Sequence, residues 1–239
     1  MTQYELFTVD IGNTNSSYVQ WVDDKPLLKS TKQINTTSKV IVSNVTNRTL
    51  SLKTPSIHTI HQKEMSSFGK MPSSYGFKAG TDRLVYAYFA FGKINSSIGW
   101  ERVLLIDSGT FSTIDIVSKD GFEGGIITPG INLLDNSFHS GENLDTPKKE
   151  ATHSFEKYPY KNTNSTLKNS SWFTLESIIL RILSESKVDQ ILITGGNGET
   201  LKNRLSSLGI TATYDPLFVH RGIYAFYKNE FGQTDLFVK

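Results

Sequence analysis

Short apolar runs, each closed by a cluster of small polar residues, recur along this chain at the length of buried strands. Leu6-Phe7-Thr8-Val9 leads into Asp10-Ile11-Gly12-Asn13-Thr14, and Ser17–Val22 reads as a returning strand. The pattern comes back later. Arg102-Val103-Leu104-Leu105-Ile106 leads into Asp107-Ser108-Gly109-Thr110, and Ser112–Val117 returns. A repeated strand–turn–strand unit predicts two similar α/β halves facing one another, with a nucleotide between them.

The remaining pattern fills in each half. Lys25-Pro26 marks a turn, and Leu27-Leu28 starts a third strand. Lys39–Val45 is β-branched and reads as a buried strand, with Ile57–Ile60 as another. Leu84, Val85, Tyr88 and Phe91 fall at helical spacing, with Thr81 or Asp82 as the cap. Gly124-Gly125 and Pro129-Gly130 interrupt an apolar run ahead of a helix over 131–138, which lets backbones or a ligand come close. Ser140–Ser171 is polar and reads as loop with a short helix, its lysines (Lys148, Lys149, Lys161) a solvated face. Trp172, Leu175, Ile178, Ile179, Ile182 and Leu183 then line one helix face. Val188–Thr194 reads as a strand ending in Gly195-Gly196-Asn197-Gly198, followed by helices near 200–207 and 217–231. The expected domains are 1–101 and 102–239, with helices on both faces of the sheets.

Composition narrows the function classes. The 239 residues are 37% apolar and 20% charged, with a formal net charge of +2. That charge gives no argument for nucleic acid or an anionic membrane. No apolar run approaches the ~20 residues of a membrane span. The chain enters a strand directly after Glu5, so no export signal is expected. There are no cysteines, which excludes thiol catalysis, thiolate metal sites and disulfides and suits the cytoplasm.

Several residues invite chemistry, each beside a plainer role. Asp10 at a strand end suits a hydrated Mg²⁺ ion. Gly12, lacking a Cβ, admits a phosphate, and Asn13 and Thr14 complete an anion cradle. The same residues also make an ordinary turn. Asp82 serves as a helix cap or as a general base, with Arg83 beside it for an anionic substrate. Thr194-Gly195-Gly196 admits a base or ribose, or is a simple strand-to-helix turn. His58 and His61 are read as ordinary surface histidines.

Taken in order, Asp10–Thr14, Gly80-Thr81-Asp82-Arg83, Asp107–Thr110 with Asp115, Gly124-Gly125 with Pro129-Gly130, and Thr194-Gly195-Gly196 resemble the type III pantothenate kinases. The resemblance covers most of the chain. It implies two ribonuclease H-like domains of the actin, Hsp70 and sugar kinase type, with the nucleotide in the cleft between them. It implies ATP-dependent phosphorylation of pantothenate, the first step toward coenzyme A. By resemblance, Asp10, Ile11, Gly12, Asn13, Thr14, Asn15, Ser16, Ser17 and Thr110 bind ATP, with Asp10 also toward Mg²⁺. Asp82 is the base; Tyr75, Gly80, Thr81, Arg83 and Thr163 join it around pantothenate. Asp107 matches a ligand of a monovalent cation, K⁺ or NH₄⁺. A homodimer is implied. Phe111 departs from the family, which commonly has a small residue there; its ring is expected to crowd the loop or turn inward. The alternatives are another kinase or phosphatase of the superfamily, and a silent nucleotide-binding regulator.

Overall fold

The structure is a computed structural model that describes residues 5–28, 34–35, 37–49, 52, 54, 56–61, 64, 71–75, 79–96, 99–141, 156 and 158–232. Its strands are β1 Leu6–Ile11, β2 Ser16–Val22, β3 Lys25–Leu28, β4 Lys39–Asn44, β5 Ile57–Thr59, β6 Arg102–Ser108, β7 Phe111–Ser118, β8 Gly121–Pro129, β9 Gln190–Thr194 and β10 Thr213–Tyr214. The helices are α1 Thr81–Ser96, α2 Ile131–Ser137, α3 Thr163–Glu185, α4 Gly198–Ser207 and α5 Phe218–Phe231.

The strands form two five-stranded sheets, ordered β3-β2-β1-β4-β5 and β8-β7-β6-β9-β10. These are the same order written twice, so the repeat seen in the sequence is a repeat of topology. In the first sheet β1 pairs antiparallel with β2 and parallel with β4. In the second, β6 pairs parallel with β9, and β9 with β10. Asp10 and Asp107 hold matching places. Each ends a central strand, opposite a hydroxyl residue on the parallel neighbour: Ser43 for Asp10 and Thr194 for Asp107.

By contacts the chain forms two compact units. One comprises Met1–Gly99, Ile116–Gly124 and Leu217–Lys239; the other comprises Trp100–Asp115 and Gly125–Pro216. In the first unit, alternation along β1 sends Phe7, Val9 and Ile11 to one face, where they pack with Ile34, Val40 and Val42. Gly222 lets α5 approach α1, since a Cβ there would stand 2.0 Å from the Val85 carbonyl oxygen. Trp21 stacks on Tyr224 with ring centroids 3.9 Å apart, which ties α5 to the β1–β2 hairpin. In the second unit Val103, Leu104, Leu105 and Ile106 are all buried, as expected of a central strand covered on both faces.

Two expectations need correction. The turn before β3 is not at Lys25-Pro26 but at Asp23-Asp24, whose φ values are 49° and 61°. Two consecutive positive φ angles suit a tight hairpin, and short acidic side chains tolerate them. Pro26 then sits within β3, an edge strand that needs no further donor. The second correction concerns 163–171, which belong to α3 rather than to a loop. The Asn162 side chain caps this helix, accepting the Ser165 N–H at 2.8 Å. Its first turns bury Ser165, Asn169 and Ser171 beside Leu167, so their polarity hid the helical face. The rest of the expected loop, 142–155 with Lys148 and Lys149, and residue 157 lie outside the described residues.

Candidate active site

The first unit brings the Asp10 loop and the Gly80–Arg83 segment together. β1 and β4 run parallel in register, so Asp10 and Ser43 lie side by side at their carboxyl ends. Ser43 Oγ is 3.1 Å from Thr81 Oγ1, and Thr81 also donates to the Asn44 carbonyl at 3.5 Å. The chain after β4 returns the link, with Val45 N–H donating to the Ile11 carbonyl at 3.2 Å. The start of α1 is therefore anchored beside the strand end that carries Asp10.

Neither Thr81 nor Asp82 is the N-cap residue of α1. Gly80 holds that place, its carbonyl accepting the Leu84 N–H at 3.1 Å, so Thr81 and Asp82 lie in the first turn. The Asp82 carboxylate accepts the Arg83 N–H at 2.7 Å, supplying a partner to an N–H that the helix leaves over. Arg83 is buried. Its guanidinium donates to Tyr75 Oη at 3.3 Å and lies 4.7 Å from the Tyr75 ring and 5.7 Å from that of Phe122. Gly124 makes room for this stack, since a Cβ there would stand 2.3 Å from the Tyr75 ring.

The loop itself turns at Gly12, whose N–H donates to the Asn15 carbonyl at 3.0 Å. Asn13, Thr14 and Asn15 are exposed, and Ser16 and Ser17 begin β2. Arg48 donates to the Thr14 carbonyl at 3.2 Å and also to that of Asn13. Sequence reasoning passed over Arg48, which lies in no motif. It also passed over His220, whose ring nitrogens reach Thr8 and Ser17. The one hint in the sequence was Thr8, a polar residue inside an apolar run.

In the second unit the glycine motifs converge on the Asp107 loop. A Cβ on Gly195, whose φ is +89°, would stand 2.4 Å from Asp107 Oδ1 and 2.6 Å from the Ser108 carbonyl carbon. Asn197 N–H donates to the Ser108 carbonyl at 3.0 Å. On the other side, Gly130 N–H donates to the Thr110 carbonyl at 3.0 Å, and a Cβ there would stand 2.2 Å from the Gly109 oxygen. The Ser108 and Ser112 hydroxyls are buried with no hydrogen-bond partner among the described residues. Phe111 is 44% exposed, so its ring has not turned inward as one expectation had it. Thr163 is the first residue of α3 and is exposed.

A family model of type III pantothenate kinase matches residues 27–185. The chain belongs to the type III pantothenate kinase family. It is 26% identical over 226 residues to the type III pantothenate kinase of Colwellia psychrerythraea, a match covering 84% of this chain and 88% of that one. It is 31% identical over 132 residues to the enzyme of Thermosipho africanus, covering 53% and 51%. Among solved structures, a Campylobacter jejuni protein described as of the Baf family of transcriptional activators superposes with a TM-score of 0.62 at 23% identity, covering 93% of this chain and 97% of that one. A 2-dehydro-3-deoxygalactonokinase-like protein of Sinorhizobium meliloti gives 0.55 at 12% identity, covering 95% and 98%. These two likenesses carry the fold, which is that of the sugar kinases. No helix among the described residues is long and apolar enough to cross a membrane.

Proposed function

We propose that this chain transfers the γ-phosphoryl group of ATP to the primary hydroxyl of pantothenate. The observation that carries the reading is the anchoring of the Gly80–Arg83 helix start beside Asp10 through Ser43, Thr81 and Asn44. Phosphoryl transfer asks a protein mainly for positioning and for compensation of charge. Asp82, held by the Arg83 N–H, receives the proton of the attacking hydroxyl. Gly80, Thr81, Tyr75 and Thr163 line the pantothenate site. The Arg83 guanidinium, steadied by Tyr75, supplies positive charge for an anionic acceptor.

The residues fit the ions such a reaction uses. Mg²⁺ is satisfied by one carboxylate, phosphate oxygens and water. Asp10 supplies that carboxylate at the end of β1, with the Ser17 and Ser43 positions beside it in the ladder. When bound, the ion offsets phosphate charge. Residues Ile11 to Ser17 and Thr110 contact the nucleotide. Asp107 would hold K⁺ or NH₄⁺, its carboxylate lying close against the Gly195 backbone. The chain acts in the cytoplasm as a homodimer. Phe173 and Leu180, seven apart on α3, and Ile126 and Ile127 on the edge strand β8 are exposed apolar surface for a second copy.

Mass spectrometry of a reaction holding ATP, Mg²⁺, K⁺ and pantothenate tests the reading. Phosphopantothenate is the expected product, formed faster in K⁺ than in Na⁺, with Asp107→Asn blunting that difference. ATP binding without this product would refute the kinase reading and favour a silent regulator.

A further inference from the structure

Beneath the first loop lies a polar chain of which the proposed reaction uses only the outer end, Ser17. Trp21 Nε1–H donates to Thr8 Oγ1 at 2.9 Å. Thr8 Oγ1 is 2.9 Å from His220 Nδ1, and His220 Nε2 is 2.7 Å from Ser17 Oγ. His220 is 2% exposed and Thr8 is fully buried, whereas Ser17 is exposed.

Counting protons gives this chain a direction. An indole N–H only donates, so it occupies a lone pair of Thr8. The Thr8 hydroxyl proton then has one acceptor among the described residues, His220 Nδ1. A neutral imidazole that accepts at Nδ1 carries its proton on Nε2. That proton goes to Ser17 Oγ, and the Ser17 hydroxyl proton is left to point outward.

The location gives the direction a use. Thr8 and Asp10 are two apart on β1 and so share a face, and Ser17 lies directly across from Asp10 on β2. One imidazole therefore holds both of these neighbours of Asp10, along the strand and across the ladder. It is carried by α5, far away in sequence.

We propose that His220 is a positioning residue of the first loop, setting the Ser17 hydroxyl as a donor to a phosphate oxygen of ATP beside the Asp10 carboxylate. This rests on the kinase reading. Burial lowers the His220 pKa to about 4, so the ring is neutral near pH 7 and adds no positive charge next to Asp10.

The test combines kinetics with a spectroscopic readout that needs no ATP. Ser17→Ala should raise the KM for ATP roughly tenfold, the lower end of what a hydrogen bond to a charged group contributes. His220→Asn, which keeps an acceptor near Thr8 but does not reach Ser17, should do the same. The double variant should be no worse than either single one, because both remove the same interaction. His220→Gln, whose amide reaches toward Ser17, should restore KM to within about twofold of native. In the native protein, ¹⁵N resonances of His220 should report the Nε2–H tautomer at pH 7. Additive KM effects, or a His220→Asn variant that loses thermal stability with KM unchanged, would overturn the proposal. So would the Nδ1–H tautomer, whatever the protein does with ATP. A native protein that does not turn over ATP would sink the kinase reading, and the role of Ser17 toward phosphate with it.

Discussion

The Asp10 and Asp107 loops have nearly the same sequence and the same place in the same strand order, yet they are braced by different means. Side chains brace the first: Arg48 on the Asn13 and Thr14 carbonyls, and His220 on Thr8 and Ser17. Backbone braces the second: Gly130 and Gly195 press against it where no Cβ has room. What the loops share is their own glycine. A Cβ on Gly12 would stand 3.5 Å from its nearest neighbour, the Asn15 oxygen, and one on Gly109 3.4 Å from the Phe111 oxygen, both ordinary contacts. Packing among the described residues does not demand glycine at either place. The comparison teaches that the two copies share the open loop and differ in the brace. A glycine that internal packing does not require is then best explained by something that approaches from outside.

Gly195→Ala is the most severe way to probe the difference. The new Cβ meets backbone that cannot swing aside, at a positive φ that disfavours any side chain. The expected loss is on the order of 4 kcal/mol, from strain and overpacking together. Urea unfolding measures it; a variant as stable as the native protein would show that backbone does not brace the second loop.

The first brace makes the next forecast. The His220 pKa is about 4 in the folded chain, against an ordinary value of 6.5. The unfolded chain thus takes up a proton between these values that the folded chain refuses. Stability present above pH 6.5 should fall as the pH drops toward 4, by on the order of 3 kcal/mol. His220→Gln removes this contribution, so urea midpoints of the two proteins should converge as pH is lowered. Parallel pH profiles would contradict the buried neutral ring.

Much of this architecture was legible in the sequence because both halves announce themselves locally. Buried strands such as Val103–Ile106 are continuous apolar runs, and each Asp-x-Gly turn follows directly. Close approach was foreshadowed at Gly130, though not its target, whereas Gly195 was expected only to admit a base or ribose or to make a simple strand-to-helix turn. Other features are long-range and leave little local trace. The packing of α5 against α1 joins residues far apart in the chain, and so does the bond from His220 to Thr8. Arg48 acts through an exposed side chain on carbonyl oxygens, which no motif encodes. The start of α3 was hidden for another reason: Asn, Ser and Thr favour caps and turns, and only Asn162 marked the cap.

The smallest effect on stability should come from Gly12→Ala and Gly109→Ala. Each Cβ meets only ordinary contacts, so unfolding free energies should change by less than about 1 kcal/mol. The KM for ATP should nonetheless rise in both, if the open face of each loop receives phosphate. Unchanged ATP use with either alanine would remove the argument from open glycines.

The central claim is that the α1 start beside Asp10 forms the reacting end of a kinase site, and Asp82→Asn tests it most directly. Asparagine keeps an acceptor for the Arg83 N–H, so α1 should stay intact and the melting temperature nearly constant. The measurement is single-turnover phosphoryl transfer from ATP to pantothenate, native against variant, at saturating ATP. A fall of about 10²-fold is predicted, the low end for general acid–base help, because positioning dominates phosphoryl transfer. Transfer at the native rate by a stably folded variant would contradict the account and leave Asp82 a partner to the helix end alone.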